Sequence, residues 1–203
     1  MAERGLLIGL TGPIGAGKST ACDILESAGA EVIHADQEAH AVYAPGSSAF
    51  RDIVALYGST ILDSAAQIDR RKLGRIVFED PRRMKGLTDI VWPATETRLL
   101  RRIAQIRARF PLVPVILEAA LLTEAGWSRM VDQIWLITAP ESVRKQRIMQ
   151  RNGLSEEEAC SRIRHQETWV LPADRPHRFI DNSGGPEQLC DQLYPLISEL
   201  YSV

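Results

Sequence analysis

The chain has 203 residues, 45% hydrophobic and 25% charged, which is enough to bury one sizeable core with a small appended part. Its 24 basic and 26 acidic residues leave a formal net charge of -2, which argues against a general electrostatic grip on nucleic acid and for small-molecule partners. No apolar run approaches the ~20 residues that cross a bilayer, the N-terminus leads into the first strand without a signal peptide's layout, and Cys22, Cys160 and Cys190 form no C-x-x-C pair, so a cytoplasmic protein without membrane contact, disulfide framework or zinc site is expected.

Leu6 to Leu10 is a short apolar run of the kind a buried parallel strand needs, and Ala21 to Ala28 reads as a helix. Between them Gly12-Pro13-Ile14-Gly15-Ala16-Gly17-Lys18-Ser19 matches the phosphate-binding loop G-x-x-x-x-G-K-[ST] at every fixed position. Glycines let the backbone turn tightly and bring its N–H groups against phosphate oxygens, and a helix starting near Lys18 points the positive end of its dipole at the same anion. Gly12, Gly15, Ala16, Gly17, Lys18, Ser19 and Thr20 are therefore the candidate nucleotide-binding residues. Lys18 supplies a mobile charge for the β- and γ-phosphates, and the Ser19 hydroxyl is a ligand for Mg²⁺ arriving with ATP.

A second strand, Glu31 to His34, runs into Ala35-Asp36. Ligand-facing residues of an open parallel sheet sit just past the carboxyl ends of its strands, so Asp36 is placed to face the phosphates; it is equally placed to cap a helix over Gln37 to Val42. From Ala44-Pro45-Gly46 to about Phe110 the pattern is helical, with Phe50, Ile53, Val54 and Tyr57 and then Leu99, Leu100, Ile103 and Ile106 at helical spacing. That length reads as a helical insertion between the second and third strands, with a bend or boundary at Trp92-Pro93 because proline pushes its predecessor out of helical geometry.

The sheet resumes at Pro114 to Glu118, whose terminal carboxylate either serves the magnesium ion or caps the next element. A fourth strand, Gln133 to Thr138, precedes a helix that carries Arg144, Arg147 and Arg151 near one face. These are a solvated surface or the arginines of a lid that closes on the transferring phosphoryl group. Ser155 and Glu158 form a capping box, Arg178 to Asp181 makes a fifth strand, and an amphipathic helix is expected from Pro186 to Leu200. His34, His40, His165 and His177 share no metal-ligand spacing.

Taken together, the P-loop with its flanks Leu10-Thr11 and Thr20, the Val32-Ile33-His34-Ala35-Asp36 strand end, Ala44-Pro45-Gly46, Arg75-Ile76-Val77-Phe78, Leu121-Leu122-Thr123-Glu124, Arg151 to Ala159 and Ile180-Asp181-Asn182-Ser183-Gly184 resemble the dephospho-CoA kinase family along nearly the whole chain. The resemblance implies an α/β P-loop kinase fold, a five-stranded parallel sheet flanked by helices. It implies a nucleotide-binding core in 5–43, 111–143 and 167–203, a helical CoA-binding insertion in 44–110 and a lid in 144–166. It further implies transfer of the γ-phosphate of ATP to the ribose 3′-hydroxyl of dephospho-CoA, with Asp36 as the base, Lys18, Arg147 and Arg151 on the moving phosphoryl group, and Asn182 and Gly184 at the nucleotide. Four positions depart from the family pattern: His34 and Trp92 stand where it has Asp and His, and Ala120 and Thr123 where it has Pro and Phe, all beside the acceptor.

Overall fold

The computed structural model describes residues 4–165 and 177–201. The last residue of the expected lid, 166, and residues 167–176 of the expected core lie outside them. Five strands, β1 (Leu7–Thr11), β2 (Glu31–His34), β3 (Val115–Glu118), β4 (Gln133–Thr138) and β5 (Arg178–Asp181), form one sheet in the order β2-β3-β1-β4-β5, and every pairing is parallel. This is the expected α/β arrangement. β1 is buried at all five positions, as a central strand covered on both faces must be. Its C-terminal end therefore opens between the ends of β3 and β4, where ligands bind in such sheets.

The helices are α1 (Lys18–Ser27), α2 (Ala35–Val42), α3 (Ser48–Tyr57), α4 (Arg70–Phe78), α5 (Pro81–Arg109), α6 (Glu141–Asn152), α7 (Glu156–His165) and α8 (Pro186–Leu200). The chain forms two compact units. One holds the described residues up to His34 and from Ile103 on; the other is Ala35–Arg102. In the first, Ile8, Leu10, Ile116, Trp135, Ile137 and Ile180 of the sheet pack with Ala21, Cys22 and Leu25 of α1 and with Leu189, Leu193 and Ile197 of α8. α6 and α7 form a hairpin around Ile148, Ala159 and Ile163, against which Ile14 of the P-loop packs. The Ser155–Glu158 capping box starts α7: Ser155 N–H donates to Glu158 Oε2 at 2.8 Å and Glu158 N–H to Ser155 Oγ at 3.3 Å. The second unit has its own core of Ile53, Ile61, Ile68, Leu73 and Val77.

One expectation is corrected. Trp92-Pro93 is no boundary, because α5 runs unbroken for 29 residues with Pro93 inside it. Proline removes the N–H that would bond the Asp89 carbonyl, a local penalty that packing overrides here. Leu87, Ile90 and Val91 before it join the second unit's core, while Leu99, Ile103 and Ile106 after it are buried. Thr95 and Thr97 turn their hydroxyls back onto the Val91 and Pro93 carbonyls at 2.7 and 3.0 Å. Pro93 is itself exposed, so its removal opens no cavity. Pro93→Ala is expected to stabilise the protein, by up to the ~3 kcal/mol that separates proline from alanine in a helix interior. Urea unfolding of the two proteins measures this, and an unchanged or lower midpoint would show that the ring contributes packing of its own.

Candidate active site

The site is built at the end of β1, where the chain leaves a fully buried strand and enters α1 through the P-loop. Gly17 precedes the helix with φ of 99°, a left-handed conformation that glycine adopts without strain. Gly15 has φ of 78°, and a side-chain carbon there would lie 2.8 Å from the Arg144 carbonyl oxygen, so α6 closes on the loop directly behind it. Ala16 is fully buried, whereas Ser19 and Thr20 at the first turn of α1 are exposed. The Lys18 ammonium donates across the loop to the Gly12 carbonyl at 2.8 Å and to that of Pro13 at 3.4 Å, which holds its charge over the loop.

Two of the three arginines on α6 reach this loop. Arg144 Nη1 donates to the Ile14 carbonyl at 3.5 Å. Arg147 Nη2 donates to the Gly184 carbonyl at 3.0 Å and to Asn182 Oδ1 at 3.4 Å. Arg144 Nε and Arg147 Nη1 are buried with no hydrogen-bond partner among the described residues, an expensive arrangement that suits a site meant for an anion. Arg151 lies one turn further along, exposed, with Nε donating to Asn152 Oδ1 at 3.4 Å; it is not brought to the loop. Sequence reasoning noted Arg144 as a face residue but did not single it out. Its contact with Ile14 had no sequence signal, because it joins residues 130 apart.

At the neighbouring strand end, His34 and Glu118 are opposite one another in the β2–β3 register, and His34 Nδ1 lies 3.2 Å from Glu118 Oε2. The sequence treated the two separately; both being last residues of parallel strands was the available clue. Behind them burial, reinforced by the Glu118 carboxylate, pushes the Cys22 thiol far up, so this cysteine stays protonated and is no nucleophile. Asp36 stands in the first turn of α2, which already begins at Ala35, so it is not the N-cap residue. It is exposed, and among the described residues its carboxylate takes no hydrogen bond from its own helix.

A family model described as dephospho-CoA kinase matches residues 6–188. The chain belongs to the dephospho-CoA kinase family. A dephospho-CoA kinase of Geobacter sulfurreducens is 43% identical over 183 residues, 90% of this chain and 92% of that protein. Among solved structures, a dephospho-CoA kinase from Campylobacter jejuni superposes with a TM-score of 0.71 at 25% identity, covering 97% of both chains. A Thermus thermophilus protein superposes with a TM-score of 0.80 at 32% identity, covering 98% of this chain and 99% of that one. As a member of the dephospho-CoA kinase family, the chain is a phosphotransferase of coenzyme A biosynthesis.

The two lid arginines should differ in their effect on kinase turnover. Arg147→Ala removes a guanidinium that already lies against the loop and is expected to lower kcat at least tenfold while weakening ATP binding less, about the worth of one charge-assisted hydrogen bond to a transferring phosphate. Arg151→Ala is expected to stay within about threefold of wild type, as exposed side chains away from a site do. Steady-state kinetics on both variants decides it, and equal losses would mean that Arg151 swings onto the phosphates during turnover.

Proposed function

We propose that this chain transfers the γ-phosphate of ATP to the ribose 3′-hydroxyl of dephospho-CoA, giving coenzyme A and ADP, the last step of coenzyme A synthesis. The observation that carries the reading is the P-loop at the end of the central strand, with the Lys18 ammonium held 2.8 Å from the Gly12 carbonyl and buried arginine N–H groups behind it. In-line phosphoryl transfer demands mostly positioning and charge stabilisation, and this is what such a cluster of donors offers. Gly12, Gly15, Ala16, Gly17, Lys18, Ser19 and Thr20 cradle the β- and γ-phosphates, and Asn182 and Gly184 complete the nucleotide site. Lys18 and Arg147 stabilise charge on the phosphoryl group in transit; Arg151, exposed one turn further along, joins them only by swinging onto the phosphates during turnover.

Asp36 orients or deprotonates the attacking hydroxyl. Support for this comes from its carboxylate, which is exposed and, among the described residues, takes no hydrogen bond from its own helix. The helical segment 44–110 binds the acceptor and 144–166 acts as the lid. Magnesium fits the oxygen donor available. The Ser19 hydroxyl is exposed beside Lys18, and no cluster of three or more His, Cys, Asp or Glu occurs among the described residues, as suits an ion that keeps its waters and takes most other ligands from phosphate. When bound, it neutralises charge on the β- and γ-oxygens. Among the described residues no helix is long and apolar enough to cross a membrane, and we place the reaction in the cytoplasm, with small molecules rather than nucleic acid as partners.

An ADP-release assay with dephospho-CoA, and with AMP, CMP and dTMP as alternative acceptors, tests the assignment; turnover dependent on one of the other three would reassign the acceptor. Lys18→Ala is expected to lower turnover by at least about a hundredfold with the fold intact, the cost of deleting one donor aimed at developing charge. Asp36→Asn keeps the size and polarity of the side chain but cannot accept a proton. It should melt near the wild-type temperature, bind ATP, and lose at least about two orders of magnitude in kcat, the usual contribution of a positioned base. An Asn variant that retains most activity would leave Asp36 as a first-turn helix residue and nothing more.

A further inference from the structure

Asn182 follows β5 and is 5% exposed, one of the few buried polar residues of the described chain. Its backbone N–H is fixed to the Thr138 carbonyl at the end of β4 at 2.8 Å. Its side-chain amide is engaged at both ends. Nδ2 donates to the buried Ala16 carbonyl at 2.8 Å, inside the P-loop, and Oδ1 accepts from Arg147 Nη2 at 3.4 Å. The fit is close enough to dictate the neighbouring residue, since a side-chain carbon at Gly17 would stand 2.0 Å from Asn182 Nδ2 and 3.8 Å from Arg147 Nη1.

A loop that turns its N–H groups toward an anion turns carbonyls the other way, and a buried carbonyl needs a donor. Asn182 is that donor for Ala16. At 5% exposure, with Nδ2 donating to Ala16 and Oδ1 accepting from Arg147, both polar atoms of the amide are turned to the loop and the arginine. We infer that Asn182 is a positioning residue that acts on ATP through the loop: its Nδ2 fixes the peptide between Ala16 and Gly17, and its Oδ1 sets the Arg147 guanidinium beside the same peptide. The inference rests on the reading of this loop as the ATP phosphate site and refines the role proposed above for Asn182. Isosteric Asp would keep an acceptor for Arg147 while setting a carboxylate oxygen against the Ala16 carbonyl, so the two halves of the role are separable.

The test is equilibrium binding of ATP, measured by calorimetry, together with steady-state kinetics and melting temperature, on Asn182→Ala, Asn182→Asp, Arg147→Ala and the double variant Asn182→Ala with Arg147→Ala. Asn182→Asp is expected to weaken ATP binding about tenfold, the effect of leaving one buried carbonyl unpaired. Asn182→Ala should do the same and also lower kcat, and its loss should combine with that of Arg147→Ala to less than the product of the two, as for residues acting as a unit. A purely structural asparagine would lower the melting temperature of both variants while the folded protein bound ATP and turned over as wild type; that result overturns the inference. Wild-type ATP affinity in Asn182→Asp overturns the brace on the loop even where Asn182→Ala fails to fold, and strictly multiplicative losses overturn the coupling to Arg147. The binding arm needs no acceptor, so an inactive wild type with dephospho-CoA would count against the proposed reaction and not against this role.

Discussion

A phosphate-binding loop must face its backbone donors one way and therefore bury its carbonyls the other, and the larger unit is arranged around that requirement. The Gly12, Pro13 and Ile14 carbonyls accept from the charged side chains Lys18 and Arg144, and the Ala16 carbonyl from Asn182. Those partners come from α1, from α6 and from the turn beyond β5. They can reach the loop because β1 lies in the middle of the parallel sheet, with β4 and β5 following on one side. The strand order is thus what assembles the site.

The same arrangement explains why buried guanidinium N–H groups are tolerated beside the loop. Leaving a buried donor unpaired costs stability, and natural proteins seldom leave one without a reason. Arg144 Nε and Arg147 Nη1 stand in such a position next to a loop whose chemistry attracts anions. Ile14 meanwhile anchors the loop to the apolar seam of the α6–α7 hairpin, so the arginines and the loop share one support. Stability given up at the polar groups is offset by apolar packing a few residues away.

Much of the fold was legible in the sequence. The expected strands match those observed to within a residue at their ends, because strands buried on both faces must be short continuous apolar runs. The helix from Pro186 to Leu200 was read correctly through Pro195, yet the boundary alternative at Trp92-Pro93 fails, since α5 continues through it. The rule about proline is local, and at Pro93 burial on either side of it prevailed. The P-loop was legible because its chemistry fixes residue types at fixed spacing. Arg147 and Arg151 could not be told apart by helical phase, since they share a face; the ~6 Å rise over four residues separates them, and only tertiary placement tells which turn meets the loop. The His34–Glu118 pair and the Asn182–Ala16 bond join residues 84 and 166 apart, and nothing local records such contacts.

The sheet order also governs when the binding loop comes into being during synthesis. β1 is made before any strand it pairs with: Leu7 pairs with Val115 and Ile8 with Gln133, so the strand has no neighbours until more than a hundred further residues have followed it. Residues 35–102 have a core of their own and none of this delay. Pairings between distant segments form slowly because the intervening loop must first be closed. The loop is therefore translated before its supports and folds only after them. A chain cut short anywhere between Thr20 and Asn182 would carry the whole phosphate-binding motif and lack the amide that braces it.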